Sequence, residues 1–146
     1  VIGPITDTLS DLMRGPLGGR IVAAGAKPAI EMPRWLGAGD LAVLPMSNDL
    51  LARSQVPCKV FEAMAVGLPV LAGAVSDLPE IVSGAGAVFP AGDVGAMAEF
   101  LRGWRAAPDM LAAYGREARR RCVERYGFDV MRRDLVRAMQ ELECRA

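Results

Sequence analysis

The segment PCKVFE, residues 57–62, combines residue types that could bind a nucleotide. Proline suits the first position of a helix, so the backbone N–H groups of Cys58, Lys59 and Val60 would find no acceptor inside that helix. Free N–H groups and the positive end of a helix dipole attract anions, and the Lys59 ammonium adds a full charge. The Glu62 carboxylate, about one turn along, could accept two hydrogen bonds from a ribose diol. The segment therefore predicts phosphate at the helix end and a sugar one turn further on.

A purely structural interpretation of the same residues stays open. Glu62 could complement the helix dipole and do nothing more, and Lys59 could be an exposed helix charge. Glu62 nevertheless stands alone in an apolar stretch, because the next charged residue along the chain is Asp77. The ligand hypothesis gives this isolated carboxylate a partner.

Several other chemistries are excluded or unsupported. The chain contains no histidine, which excludes a self-contained Ser–His–Asp site. The dinucleotide pattern G-x-G-x-x-G and the P-loop pattern G-x-x-x-x-G-K-[ST] do not follow any predicted strand. Asp7, Asp11, Asp40 and Asp49 are scattered, so we expect them to be caps or turn residues and predict no metal site.

Composition indicates one globular domain in a reducing compartment. Of the 146 residues, 52% are hydrophobic and 23% are charged, and Lys+Arg and Asp+Glu both number 17. This balance gives no reason to expect nucleic acid or an anionic membrane as a partner. The three cysteines are odd in number and widely spaced, so neither a disulfide framework nor a zinc site is predicted. We expect a cytoplasmic protein without a membrane-spanning segment.

Short apolar runs alternate with helical patterns over most of the chain. The five runs predicted to be strands are residues 1–3, 21–25, 41–45, 69–73 and 86–89. The intervening helical patterns are residues 6–15, 30–39, 58–67, 77–82 and 93–105. Strands this apolar, separated by helices, are typical of a Rossmann-like parallel sheet covered on both faces. Ligands of such sheets bind beyond the carboxyl ends of the strands, and the longest loop there, residues 46–57, leads directly to Glu62.

From residue 108 onward only helical patterns occur, at 108–127 and 128–146. Eight arginines lie between Arg116 and Arg137, and we expect them on solvated faces, with contact to a membrane surface or a partner domain as the alternative. Among helix ends, Gly67 is predicted to terminate the Glu62 helix, Asp77 to form a capping pair with Glu80, and Asp93 to be an N-cap.

Four motifs resemble the C-terminal half of GT-B glycosyltransferases, most closely the retaining family 4. They are DLAVLP at 40–45, PCKVFEAMAVGLPVLA at 57–72, DLPEIV at 77–82 and PAGD at 90–93. Residues 116–135 are similar to that family's terminal helices. The resemblance implies an α/β fold: a Rossmann-like nucleotide-sugar-binding domain at 1–107 lacking its first strands, and a C-terminal helical segment of the same domain at 108–146.

The resemblance also implies a donor site. Glu62 matches the second glutamate of the family's E-x7-E motif, which binds the donor ribose. The first glutamate would stand eight positions earlier, where this chain has Ser54, a departure shared with a subgroup that carries P-x-K before F-E-x-M-A. Cys58 and Lys59 match positions near the donor's phosphate and sugar, and the loop from Gly25 to Lys27 matches a place near the nucleoside base. No individual catalytic residue follows from the resemblance.

The implied reaction moves a hexose from a nucleoside diphosphate sugar to an acceptor hydroxyl with retained configuration, through an oxocarbenium-like transition state, and requires no metal or other cofactor. Its partner would be an N-terminal GT-B domain that holds the acceptor and through which any peripheral membrane contact would run. Since the chain starts at Val1 in an apparent strand, we expect sequence before it and weak or no activity of this chain alone.

Two alternatives stay open. One is a stand-alone nucleotide-binding module that works with a separate acceptor-binding subunit. The other is a GT-B-like epimerase or phosphorylase that uses the same donor fold.

Overall fold

A computed structural model describes residues 1–143 of the chain. They form two compact units, one comprising Val1–Trp35 and the other beginning at Leu36. The second unit contains a parallel sheet and most of the predicted site residues. The division at residue 107 that the sequence suggested stays a prediction.

The first unit is short helices and turns. Helix α1 spans Asp7–Arg14 and begins at Thr6, whose hydroxyl accepts a hydrogen bond from the Leu9 N–H. Two 3₁₀ turns follow at Gly18–Arg20 and Ala29–Glu31, and helix α2 spans Met32–Leu36.

The prediction of two strands in the first unit was wrong. Residues 1–3 and 21–25 form only a single parallel bridge, Ile2 to Gly25. Glycines terminate both runs, and Gly3 and Gly25 have φ values of 137° and 71°, which are outside the region that strands occupy. The pairing therefore cannot continue past the bridge.

The second unit contains three parallel strands, β1 at Ala42–Leu44, β2 at Val70–Gly73 and β3 at Gly86–Phe89. Their order in the sheet is β1-β2-β3, with Val43 opposite Leu71 and Leu71 opposite Ala87. Three of the predicted strands are thereby confirmed, as is the α/β fold with a parallel sheet.

Six helices accompany the sheet: α3 at Leu50–Ser54, α4 at Lys59–Ala65, α5 at Leu78–Val82, α6 at Val94–Arg105, α7 at Pro108–Tyr126 and α8 at Phe128–Glu143. Helix α3 lies inside the segment 46–57 that the sequence analysis treated as one loop. Among the described residues, no helix has the length and apolar character needed to cross a bilayer.

Helices cover both faces of the sheet. All four residues of β2 are buried, and their side chains alternate between two hydrophobic clusters. Val70 and Ala72 belong to a cluster with residues of α4 and α5, whereas Leu71 packs with Phe89 and Trp104. This arrangement explains why β2 reads as a continuous apolar run rather than as an alternating one.

Two of the three predicted helix ends are confirmed. Gly67, with φ of 81°, ends α4, and its N–H donates to the Met64 carbonyl while the Leu68 N–H donates to the Ala63 carbonyl. Asp93 caps α6 by accepting from the Ala96 N–H.

The predicted Asp77 cap was wrong, because that side chain makes no capping hydrogen bond. Its backbone (φ −86°, ψ 4°) is not in the extended conformation that an N-cap usually adopts, and Pro79 removes one of the N–H donors that a cap would bind.

The expectation that all eight tail arginines are solvated was wrong for Arg121. Arg121 is only 8% exposed, and its guanidinium donates to the Glu80 carbonyl at 2.9 Å. This bond satisfies a carbonyl in the last turns of α5, where cations are favoured. The other seven arginines are exposed.

Candidate functional site

A cleft of about 570 Å³ opens where β1 ends and α4 begins. Val43, Leu44, Pro45 and Met46 supply one wall, from the carboxyl end of β1. The remaining lining residues are Gln55, Pro57, Cys58, Lys59 and Glu62. The structure thus brings together three of the residues that the sequence analysis selected, at the sheet edge where it expected a ligand.

Helix α4 presents Lys59 and Glu62 to this cleft because its other side is held in the core. Val60, Ala63 and Met64 are buried against the sheet, which fixes the rotation of the helix about its axis. Lys59 and Glu62 are three positions apart and therefore lie on one face, with their Cβ atoms about 5–6 Å from each other. Both are exposed.

The amino end of α4 offers two free donors rather than three. Val60 N–H donates to the Pro57 carbonyl at 3.0 Å, which corrects the expectation that its N–H is available. A tight first turn of this kind is common at helix ends. Within the part of the chain that the structure describes, the N–H groups of Cys58 and Lys59 have no acceptor. Both residues line the cleft.

The Glu62 carboxylate is not committed to another side chain. Among residues 1–143 it takes part in no hydrogen bond or salt bridge, and the arginine ion pairs lie on α1, α7 and α8 instead. An exposed, unpaired carboxylate on the wall of a cleft is free to accept hydrogen bonds from a ligand.

Helix α3 lies in the segment that leads to the cleft and is held by its own cap. Asp49 Oδ1 accepts from the Ala52 N–H at 2.8 Å, and Asp49 Oδ2 accepts from the Ser47 hydroxyl at 2.6 Å. The Ser47 hydrogen bond, followed by that of Ala52, lowers the pKa of the Asp49 carboxyl. Asp49 is therefore a cap, as expected, and its charged form orders this segment.

The remaining selected residues lie elsewhere. Ser54 does not line the cleft, and its hydroxyl donates to the Leu51 carbonyl at 3.0 Å within α3. Gly25 and Lys27 belong to the first unit, where the Lys27 Nζ lies 4.8 Å from the centre of the Trp35 ring. Trp35 in turn donates from Nε1 to Glu31.

Sequence reasoning missed Met46 and Gln55, which complete the lining. Only their position in the loop between β1 and α4 could have indicated that they line the cleft. The position of Met46 also explains why glycine suits residue 73, because a Cβ on Gly73 would lie 3.1 Å from the Met46 nitrogen. A side chain at residue 73 would therefore require Met46 to move by a few tenths of an ångström.

A larger hollow, of about 900 Å³, runs along α8. All of its lining residues, which include Arg132, Arg133 and Arg137, belong to that single helix. A hollow without a second wall is an open helix surface, so the smaller cleft at β1 and α4 is the candidate site.

Comparison with known proteins assigns the chain to a family. The model of the family "Glycosyl transferases group 1" matches residues 1–104. The amylovoran biosynthesis glycosyltransferase AmsK of Erwinia amylovora is 34% identical over 90 residues, which are 60% of this chain and 22% of AmsK. The putative colanic acid biosynthesis glycosyltransferase WcaL of Escherichia coli K12 is 30% identical over 122 residues, 81% of this chain and 30% of WcaL.

Two solved structures share the fold. Sucrose-phosphate synthase from Thermosynechococcus elongatus superposes with a TM-score of 0.75 at 22% identity, over 94% of this chain and 34% of the synthase. Anabaena HepE in complex with UDP gives a TM-score of 0.76 at 16% identity, over 96% of this chain and 40% of HepE. The chain thus spans about a third of the length of these two proteins. Because the family model matches residues 1–104, the chain belongs to the group 1 glycosyltransferases, and its fold is of the GT-B type.

Proposed function

We propose that this chain is the donor-binding part of a retaining glycosyltransferase, which moves a hexose from a nucleoside diphosphate sugar to an acceptor hydroxyl. The observation that carries the proposal is the joint exposure of Lys59 and Glu62 on one face of α4, in a cleft at the carboxyl end of a parallel sheet. A nucleotide presents a diphosphate and a ribose diol in sequence, and this face presents a cation and a carboxylate in sequence.

In this proposal the diphosphate lies at the amino end of α4. The N–H groups of Cys58 and Lys59 donate to its oxygens, and the Lys59 ammonium balances its charge. Negative charge grows on the distal phosphate as the bond to the hexose breaks, so donors already aimed at that oxygen lower the barrier. No metal is required for this role.

The ribose lies one turn further along, where both oxygens of the Glu62 carboxylate can accept from its two vicinal hydroxyls. The absence of any salt-bridge partner for Glu62 among the described residues supports this assignment. Ser54 replaces the family's first glutamate and bonds within α3, so contacts to the hexose would come from other residues.

The acceptor is proposed to be a growing glycan, held by a further domain. The two relatives are named for the biosynthesis of amylovoran and of colanic acid, and this chain matches only 22% of AmsK and 30% of WcaL. Because GT-B enzymes react between two domains, we expect weak or no transfer by residues 1–146 alone.

Calorimetric titration with UDP and GDP tests the site. Glu62→Ala should weaken binding of the preferred nucleotide by about 1.5–3 kcal/mol, the cost of losing hydrogen bonds to a charged acceptor. Glu99→Ala is the matched control, since Glu99 is an exposed glutamate on α6 that does not line the cleft. Equal affinity of wild type and Glu62→Ala for both nucleotides would contradict the proposal and leave Glu62 with a structural role.

A further inference from the structure

Helix α4 has only seven residues, and its amino end and its carboxyl end are held in different ways. The amino end faces the cleft. The carboxyl end contacts α7, a long helix whose residues lie far away in sequence. At that end the Arg119 guanidinium of α7 donates to the Ala65 carbonyl, the last of α4.

Other contacts between α7 and α4 follow the same line. Gly67, just after α4, and Gly115 of α7 touch through their backbones, because a Cβ on Gly115 would lie 2.3 Å from the Gly67 carbonyl oxygen. Further along α7, Cys122 Sγ lies 3.6 Å from the Phe61 carbonyl oxygen, and the Phe61 and Tyr126 rings have centroids 4.9 Å apart. The contacts with α7 thus run from Phe61 of α4 to Gly67, just beyond its carboxyl end.

We infer that Arg119 is a positioning residue for the donor site, acting on Glu62 through the hydrogen bond to the Ala65 carbonyl. Glu62 is one turn before Ala65 on the same face of the helix. A charged donor at a helix carboxyl end satisfies a free carbonyl and opposes fraying of the last turn. In a helix of two turns, fraying of the last turn reaches Glu62 directly.

Arg120, the next residue, provides a control for Arg119. Both arginines are exposed on α7, but within residues 1–143 Arg120 bonds only inside its own helix, to Glu117 and Glu124. Removal of Arg120 therefore changes the surface charge of α7 by the same amount without releasing α4. Comparing the two removals therefore separates the effect of releasing α4 from the effect of losing one positive charge.

The inference rests on the proposed function, and the test uses the full chain with UDP and GDP as the probes. Arg119→Met, which keeps the apolar stem and removes the donor, should weaken nucleotide binding about three- to tenfold. Arg120→Met should leave the affinity unchanged, and Arg119→Lys, which can still donate to the carbonyl, should restore most of it. Thermal unfolding should be nearly equal for the three variants, since Arg119 and Arg120 are both exposed.

A double-mutant cycle decides whether Arg119 acts through Glu62. If it does, Glu62→Ala combined with Arg119→Met binds no more weakly than Glu62→Ala alone. Additive losses, or equal losses in Arg119→Met and Arg120→Met, would overturn the inference. If Glu62→Ala alone has no effect on binding, the proposed function fails; if Glu62→Ala weakens binding but Arg119→Met does not, only the positioning role fails.

Discussion

Helices α7 and α8 follow one another in the chain but have different surroundings. Both are amphipathic and rich in arginine, and they are joined at Gly127. Helix α7 buries Gly115, Ala118, Arg121 and Cys122. Helix α8 buries none of its residues, and most of its apolar side chains are exposed, from 89% at Phe128 to 48% at Val136.

The difference shows that an amphipathic pattern predicts an apolar helix face but does not identify the surface that packs against it. Helix α7 can pack closely because Gly115 removes a side chain where the Gly67 backbone approaches. Its Arg119 and Arg121 reach carbonyl groups of α4 and α5. Helix α8 makes no such contact within residues 1–143, and its arginine pairs lie within the helix itself.

The largest expected effect comes from Gly115→Ala, which breaks the close approach of α7 to α4. Alanine favours a helix over glycine by about 1 kcal/mol, yet here its Cβ would overlap a backbone oxygen. Because the overlap is with backbone, its cost should exceed the usual range of about 1–3 kcal/mol for overpacked sites and leave a net loss of about 2–3 kcal/mol in the free energy of unfolding, measured by urea denaturation. Gly103→Ala in α6 is the control, because a Cβ there meets nothing within 4 Å and should stabilise. If both substitutions stabilise, α7 does not approach α4 in this way.

A matched pair of leucines compares the two helices directly. Leu111 of α7 packs half-buried against the cluster of Leu71, Phe89 and Trp104, whereas Leu135 of α8 is 62% exposed. Leu111→Ala should cost about 1–2 kcal/mol of unfolding free energy, less than a fully buried leucine. Leu135→Ala should change it by less than about 0.5 kcal/mol. A comparable loss at both positions would show that α8 is covered in solution, which would remove the contrast.

The smallest effect is electrostatic and belongs to the exposed side of α7. The Arg120 hydrogen bond lowers the pKa of the Glu117 carboxyl. Because the pKa in the folded state is depressed, the contribution to stability is present above the unfolded pKa and is lost as the pH falls through the folded one. Arg120→Met should raise the pKa of Glu117, followed by NMR titration of its carboxyl carbon. An unchanged titration curve would mean that this pair does not form in solution.

Local patterns predicted much of the second unit. The apolar runs at 41–45, 69–73 and 86–89 form the parallel sheet that a sequence of alternating helical and apolar segments already indicates, and β2 is buried throughout. The ends of α4 and α6 followed from Gly67 and Asp93, whose effects act within a few residues. Cys58, Lys59 and Glu62 met at one cleft because the carboxyl edge of a parallel sheet is a property of the fold class.

The missed features depend on pairs of segments that are distant in sequence. The runs at 1–3 and 21–25 look like strands, but a strand also needs a partner along its length, and the described chain provides only one bridge. Arg121 has the same local pattern as its neighbours, and only the position of α5 makes it a buried donor. Met46 and Gln55 could not be singled out within their loop.

What the sequence by itself determined is the class of fold, the short α4 with its cation and carboxylate three positions apart, and the glycine that ends it. These follow from periodicity and from residues that act on their immediate neighbours. The tertiary structure alone decided that α7 holds α4 through Arg119 and that α7 rather than α8 is buried. Those outcomes depend on which surfaces meet across many residues of chain, and an amphipathic pattern is the same whether or not its partner is present.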